Sequence, residues 1–538
     1  MKELKWHLGI SLAVASALLL LLSFPPFNVN SLGFIALVPL FFLVYNTNLK
    51  KTICYGIAGS FLFYCLYLFW MNAYLAVIGV GFVTVVYGGW MVLALALINL
   101  SARAFPRYRV VLTPFIWIAI EYARSFGFLG LTFGSIGYTQ HNFLRFIQTA
   151  EIGGEPLVSF IVVLFNAGVA GLVTNLVYNK RILPSSSLPL FACIGLIIFS
   201  LVYGSVKIKE PIPQKPSLKL SLVQALSSPR IEWSTEKWKT LERLTSLTKK
   251  SYQENPDVDL IVWTETAIRT SLRPNLIYGT PYHHQIERLI QKLGTHFVIG
   301  SPDNYKVAKN PGTLEGAESL SAVYPVEGEI WTNSAYFLDP HASIVKKYDK
   351  IQLTPFGEHF PLGEKLPFLQ KILDKFTDSA GFTPGRKYTV FEQGKLDFSV
   401  VICWEGTYSY LIRRFIRNGA DFIINISNDM WTGSRAGHFQ HFTITKFRAI
   451  ENRIWFARGG NDGVTAIINP HGRVVKILPI KKEGYLTGTI GPRARQTFFT
   501  RYGNILPRIS LVVLGISFVF SVIILTRSSY SVKTRKNR

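Results

Sequence analysis

Of the four cysteines in this chain, Cys54, Cys65 and Cys193 lie inside long apolar runs, and only Cys403 sits in the polar part of the sequence. It directly follows the run Ser399-Val400-Val401-Ile402 and precedes Trp404-Glu405-Gly406, after which a helical pattern starts. A lone thiol at a strand-to-helix turn has no soluble partner for an intrachain disulfide and is placed as a nucleophile. Near its unperturbed pKa of ~8.5 a thiol is only slightly ionised at neutral pH, so it needs a base or a positive field beside it.

Two further segments carry such groups. Glu265 closes the apolar run Ile261-Val262-Trp263-Thr264, and Lys350 and Glu358 fall in Tyr348-Asp349-Lys350-Ile351-Gln352-Leu353-Thr354-Pro355-Phe356-Gly357-Glu358. Strand carboxyl ends of an open α/β sheet converge on the ligand crevice. There Glu265 would take the thiol proton, Lys350 would stabilise an oxyanion, and Glu358 would orient Lys350 or the incoming nucleophile. A helix starting near Thr407 would turn its positive end toward Cys403 and favour the thiolate. Each residue alone also has an ordinary reading. Cys403 suits a small core position, Glu265 a helix cap or a partner for Arg269, Lys350 a solvated stretch with Lys346 and Lys347, and Glu358 a loop.

The elements that would position these groups alternate between strand and helix. Strands are expected at 218–223, 259–263, 297–300, 335–338, 398–403, 422–427, 464–468 and 485–490. Helices are expected at about 234–253, 283–294, 407–418 and 437–453, with a polar loop over 303–332. This alternation predicts an α/β layered fold.

The rest of the chain is different. The 538 residues are 49% hydrophobic, with mean hydropathy +0.26, which points to membrane and soluble segments in one protein. Apolar runs near the ~20 residues needed to cross a bilayer occur at about 8–24, 32–46, 53–71, 75–99, 109–123, 155–178, 188–205 and 508–526. The expectation is a polytopic α-helical membrane protein of eight spans: an N-terminal membrane domain (1–205) of seven, a linker (206–215), a catalytic domain (216–495), and a last span with a basic tail (505–538). Six spans follow the first run, and Ala13-Val14-Ala15 comes too early for a cleavage site, so that run reads as a span rather than a removed signal.

Outside 206–508 there are sixteen Lys or Arg, and alternating spans put fourteen on one side, with only Arg124 and Arg145 on the other. Basic short loops stay cytoplasmic. Both termini are therefore expected inside and the large domain outside. Of the net charge of +25, +13 falls within 206–508, which suits an anionic lipid surface or a solvated basic one. Nucleic acid is not an expected partner there. His283-His284 offers only two adjacent imidazoles and no Cys-x-x-Cys occurs, so no metal is called for.

Glu265, then Lys350 with Glu358 eight residues on in a Pro-Phe-Gly-Glu turn, then Cys403 at a strand end, together resemble the nitrilase superfamily over about 216–492. That resemblance implies an αββα sandwich with a Glu-Lys-Cys triad. Its insertion between spans narrows the resemblance to the membrane-bound branch, the apolipoprotein N-acyltransferase family. Asn425-Ile426-Ser427-Asn428-Asp429-Met430-Trp431, Gln440-His441-Phe442 and Arg448-Ala449-Ile450-Glu451 are similar to that family's segments after the nucleophile. Gly137-Tyr138-Thr139-Gln140 resembles its loop between the fifth and sixth spans, and Trp233 sits where the family has an acyl-covering tryptophan. Trp404 departs from the pattern, standing where tyrosine is expected.

The resemblance implies acyl transfer in two steps without a cofactor. Cys403 takes the chain from a membrane phospholipid as a thioester, and the α-amino group of a diacylglyceryl-cysteine apolipoprotein then accepts it. Glu265 is implied as general base and Lys350 as oxyanion partner, with Glu358, Trp404 and Glu405 supporting, and Trp233, Phe356 and Asn428 as substrate-binding candidates. Trp238, Phe360 and Phe368 are further candidates for lid or interface contacts, and the enzyme is expected to act as a monomer. A membrane-tethered amidase would share the triad. A non-catalytic transporter or scaffold would instead need charged residues inside its spans, which are nearly absent.

Overall fold

The computed structural model describes residues 4–127, 129–227, 233–272, 281–307, 328–355, 357–359 and 381–536, with backbone alone at 74–76, 179, 233–235, 305–307, 328–329 and 528–536. The chain forms two compact units, one of Met1–Glu210 with Arg501–Arg538, the other of Pro211–Thr500.

The first unit is helical. Among the described residues, five helices are long and apolar enough to cross a membrane: Trp6–Ser23, Val77–Ala104, Glu155–Tyr178, Pro184–Lys207 and Ile505–Arg527. The other three expected spans also coincide with helices, but these miss the length or the apolarity. Val38–Asn46 has 9 residues, Arg109–Ala123 has 15 around Pro114, and Leu49–Tyr67 carries Lys50 and Lys51 at its start. A count of eight spans therefore goes beyond what helix length and composition give.

Charge inside this unit is buried and partnered, as low dielectric demands. Arg124 donates to Tyr64 Oη at 2.7 Å, to the Phe133 carbonyl at 3.0 Å and to Ser135 Oγ at 3.2 Å. Glu121 Oε1 accepts from the Ile136 amide at 3.0 Å. Both residues tie the segment leading into Gly137–Gln140 to the helix Arg109–Ala123 and its C-terminal end.

The second unit is a sandwich of two six-stranded sheets. Its strands are β1 (Leu218–Gln224), β2 (Leu260–Trp263), β3 (His296–Val307), β4 (Gly328–Leu338), β5 (Ile344–Asp349), β6 (Phe391–Glu392), β7 (Asp397–Ile402), β8 (Phe422–Ser427), β9 (Trp455–Gly460), β10 (Thr465–Ile468), β11 (Val474–Leu478) and β12 (Gly484–Ile490). The sheet orders are β12-β1-β2-β3-β4-β5 and β11-β10-β9-β8-β7-β6. Parallel pairing is confined to the centres, β1-β2-β3 and β7-β8-β9. Central parallel strands are covered on both faces and so read as unbroken apolar runs; Leu260–Trp263 and Phe422–Ser427 are buried at every position.

Aromatic rings fill the space between the sheets. Phe337 of β4 meets Phe398 of β7 edge-on at 5.5 Å and Phe391 of β6 at 5.7 Å. Helices Trp233–Glu254 and Pro281–Leu293 lie against the first sheet, the latter burying Tyr282, Ile286, Leu289, Ile290 and Leu293 along one stripe. On the second sheet, helix Ser409–Arg417 buries Leu411, Ile412, Phe415 and Ile416. Helix Arg435–Asn452 is capped by Ser434 Oγ, which accepts from the Ala436 amide at 3.2 Å.

The expected loop over 303–332 is partly strand. Asp303 pairs with Thr332 and Val307 with Gly328 along one β3–β4 ladder; 308–327 lies outside the described residues. Polar composition misled here because Asp303, fully buried, is neutralised by Lys347 at 2.5 Å and accepts from Ser271 Oγ at 2.7 Å. Strands β5, β6, β9 and β11 also escape the sequence pattern. β5 buries only Tyr348 and β11 none of its positions, and β9 ends in Arg458-Gly459-Gly460.

Candidate active site

Glu265, Lys350, Glu358 and Cys403 come together at the carboxyl ends of β2, β5 and β7. Glu265 follows β2 into a tight turn, and Gly300 of β3 leaves room for it, since a Cβ there would collide with the Thr264 carbonyl. Lys350 follows β5 directly; its amide donates to the Asn333 carbonyl at 2.8 Å. Its ammonium lies 2.8 Å from Glu358 Oε2 and 3.5 Å from Glu265 Oε1, with the lysine side chain 1% exposed. Burial opposes the Lys350 charge, but Glu358, Cys403 and Glu265 outweigh it and hold its pKa above the usual lysine range.

The two carboxylates behave differently. Burial, helped by the negative Glu358, pushes Glu265 above the usual glutamate range, although Lys350 and the donors from Asn428 and Asn333 pull the other way. Burial also opposes charge on Glu358, yet Lys350 and its hydrogen bonds bring that group below its ordinary value. Glu358 is thus the counter-ion of Lys350, and Glu265 is the carboxylate whose neutral form is favoured.

Cys403 has φ +56°, a left-handed conformation that costs a non-glycine residue about 1–2 kcal/mol. Burial pushes its thiol well above the ordinary value, with Glu265 adding to that and Lys350 only partly offsetting it. The expected helix-end activation is not what prevails. A short 3-10 turn, Cys403–Thr407, stands between the thiol and the helix that begins at Ser409. The resting group is a thiol.

The remaining expected site residues fall as follows. Glu405 is fully buried and accepts from the amides of Ile351 (2.7 Å), Gln352 (2.9 Å) and Ile402 (2.8 Å) and from Tyr348 Oη (2.8 Å). It thereby ties the loop after Lys350 to the strand before Cys403. Burial outweighs those donors and pushes Glu405 up to about 7. Trp404 Nε1 donates to the Gln352 carbonyl at 3.0 Å, and its ring meets Tyr408 edge-on. Trp404 therefore packs into the same junction.

Asn428, expected at the substrate, uses its amide to hold Glu265 Oε2 at 2.7 Å, while its side chain meets Thr266 Oγ1 at 3.2 Å and Asn461 at 3.3 Å. Trp233 opens the helix Trp233–Glu254, and its side chain lies outside the described residues, as do Phe356, Phe360 and Phe368. Trp238 is 44% exposed and edge-on to Tyr282 at 5.3 Å on the outer helices.

Sequence reasoning missed Asn333. It reaches Glu265 Oε1 at 2.8 Å and Glu358 Oε1 at 2.7 Å, spacing the two carboxylates with one amide. An asparagine inside a strand carries no such signal; only the β3–β4 and β4–β5 registers bring it to the site.

A buried acid beside a buried lysine and a strand-end thiol, on an αββα sandwich, defines the carbon–nitrogen hydrolase class, and the carbon-nitrogen hydrolase family model matches residues 219–497. The model for the apolipoprotein N-acyltransferase N-terminal domain matches residues 16–168. The chain is 29% identical over 506 residues to the apolipoprotein N-acyltransferase of Geobacter metallireducens, covering 92% of this chain and 91% of that one. It is 30% identical over 426 residues to apolipoprotein N-acyltransferase 1 of Treponema pallidum, covering 75% and 76%. Among solved structures it is similar to Saccharomyces cerevisiae Nit3, a member of branch 10 of the nitrilase superfamily, at TM-score 0.35 and 17% identity, over 52% of this chain and 92% of that one. The chain belongs to the apolipoprotein N-acyltransferase family.

Proposed function

We propose that this protein moves a fatty acyl chain from a membrane phospholipid to the N-terminal amine of diacylglyceryl-cysteine on apolipoproteins, through a thioester on Cys403. The observation that carries the reading is the buried Glu265–Lys350–Glu358 group beside Cys403, in a chain similar to apolipoprotein N-acyltransferases over nearly its whole length.

Glu265 takes the thiol proton as sulfur attacks the ester carbonyl. Lys350 neutralises the oxyanion of the tetrahedral intermediate, which collapses to thioester and lysophospholipid as the leaving oxygen takes the proton from Glu265. In the second half Glu265 takes a proton from the attacking amine and the intermediate releases the Cys403 thiolate, which regains its proton. Splitting the transfer this way predicts ping-pong kinetics. Lys350 stays charged throughout because Glu358 remains its counter-ion.

Seven N-terminal spans and one C-terminal span, with both termini cytoplasmic and the catalytic unit outside, are supported by the fourteen-to-two division of basic residues. A hydrocarbon chain resists passage through water at ~0.8 kcal/mol per methylene, which favours a membrane enzyme for this reaction. Incubation with acyl-labelled phospholipid should yield hydroxylamine-sensitive label on Cys403 that an apolipoprotein amine discharges. Label persisting in Cys403→Ala sinks the reading, whereas label lost to water as fast as to the amine turns it into a membrane-tethered hydrolase.

A further inference from the structure

Beside Cys403 lies a second buried charged group that the two-step chemistry does not use. Its members are Arg458, Asp429, His441 and Asn425, each at most 5% exposed. Arg458 Nη2 is 2.6 Å from Asp429 Oδ2, and His441 Nδ1 is 3.0 Å from Asp429 Oδ1. Arg458 Nη1 donates to Asn425 Oδ1, whose Nδ2 donates onward to the Cys403 carbonyl at 2.9 Å and the Val401 carbonyl at 3.1 Å.

Strand register builds this chain of contacts. Val401 pairs with Asn425 across β7–β8, and Asn425 with Arg458 across β8–β9. In-register neighbours project to the same face, so three adjacent strands carry the guanidinium's grip to the nucleophile's own carbonyl. The same Asp429 follows Asn428, whose amide holds Glu265 Oε2. Ser427 Oγ fixes Asp429 Oδ1 at 2.7 Å, and Gly463 leaves space for Asp429 that a Cβ would fill.

We propose that the Arg458–Asp429 pair, acting through Asn425 and the Ser427–Asp429 turn, positions the nucleophile and its base together. One arm holds the left-handed Cys403 by its carbonyl, and the other holds Glu265 by the Asn428 amide. These are positioning residues, since their hydrogen bonds run to the Cys403 and Val401 carbonyls and within the Ser427–Asp429 turn. The inference rests on Cys403 being the nucleophile.

Asn425→Ala and Arg458→Lys in the full-length protein test it through two readouts. In the first, acyl-labelled phosphatidylethanolamine is the probe: burst amplitude counts intact sites and burst rate reads their geometry. Asn425→Ala should lower the burst rate about a hundredfold, the size expected of a misplacement near 1 Å, at an amplitude and a donor KM within threefold of the parent. Arg458→Lys, which keeps a charge for Asp429 but loses the fork, should fall in between. In the second readout, alkylation of Cys403 by 2-chloroacetamide, followed across pH by peptide mass spectrometry, should slow and lose its dependence on Glu265.

Burst and alkylation rates within threefold of the parent in both variants overturn the proposal, as does a loss confined to amplitude, which is the mark of a purely structural role. Absence of acyl label in the parent strikes the transferase reading instead, and the alkylation arm still decides this one. Should Asn425→Ala not fold, Arg458→Lys carries the same comparison.

Discussion

Two buried charge clusters lie beside Cys403, and they are built to opposite ends. Around Lys350 two carboxylates share one cation, so Glu358 takes most of its charge and Glu265 is left above the ordinary carboxylate range. Around Arg458 one carboxylate meets one guanidinium at 2.6 Å; although burial opposes its charge, Arg458 and His441 hold Asp429 well below its ordinary value. The first cluster is left short of a positive charge, and such a shortage lets a proton move. The second is matched, and matching fixes geometry. The lesson is that burial alone assigns no role; the local charge balance does.

The largest way to break the contrast is to remove the sulfur. Cys403→Ser should lower acyl transfer by at least about 10⁴-fold, the scale seen when a covalent nucleophile is lost, read by the labelled thioester and by product N-acylation. Next come the first cluster's own members. Glu265→Gln should cost about 10²–10⁴ in the acylation rate, as for loss of a general base, while leaving thermal unfolding near the parent value. Asp429→Asn should do the reverse in kind. It leaves Arg458 partly uncompensated, and loss of one partner of a buried pair costs about 3–5 kcal/mol, visible as a lower denaturation midpoint.

The pH profile sharpens the comparison further. Glu265 works deprotonated and its pKa is raised, so the acylation rate should already fall with acid at a pH above the ordinary carboxylate range. Asp429 has a depressed pKa; the stability it contributes is present above the unfolded aspartate value of about 3.9 and is lost only as pH falls through its lower folded value. Activity should therefore fail before this pair does, and a common midpoint for rate and unfolding would contradict that. The smallest effect belongs to neither cluster. Lys346→Ala removes an exposed pair with Glu392 at 3.1 Å, and such surface pairs contribute about 0–1 kcal/mol, so rate and melting should barely move.

Much of this was legible in the residues themselves. Cys403 and Glu265 could be found because each ends or closely follows a run with strand character, where a polar group stands out against its flank, and Lys350 because Glu358 stands eight residues on in the Pro-Phe-Gly-Glu turn. Glu358 was legible from its turn. Asn425, Asp429 and His441 were visible only as a family resemblance, with no role, and Arg458 and Asn333 not even as that. Nor could the pKa directions be read. Burial and Glu265 push the Cys403 thiol up more than Lys350 brings it down, which no single segment of the sequence reveals.

By itself the sequence determined the division into apolar and α/β parts, and it picked out Glu265, Lys350, Glu358 and Cys403, which the fold brings together. These are local properties, carried by composition and by what stands next to what. Only the tertiary structure decided which carboxylate sits above its ordinary range, which asparagine spaces the pair, and which arginine connects through Asn425 to the Cys403 carbonyl. Those features depend on register between strands distant in sequence: Arg458 connects to the Cys403 carbonyl, through Asn425, only because Asn425 lies opposite both Val401 and Arg458. A shift of a single residue would turn each of these side chains to the other face.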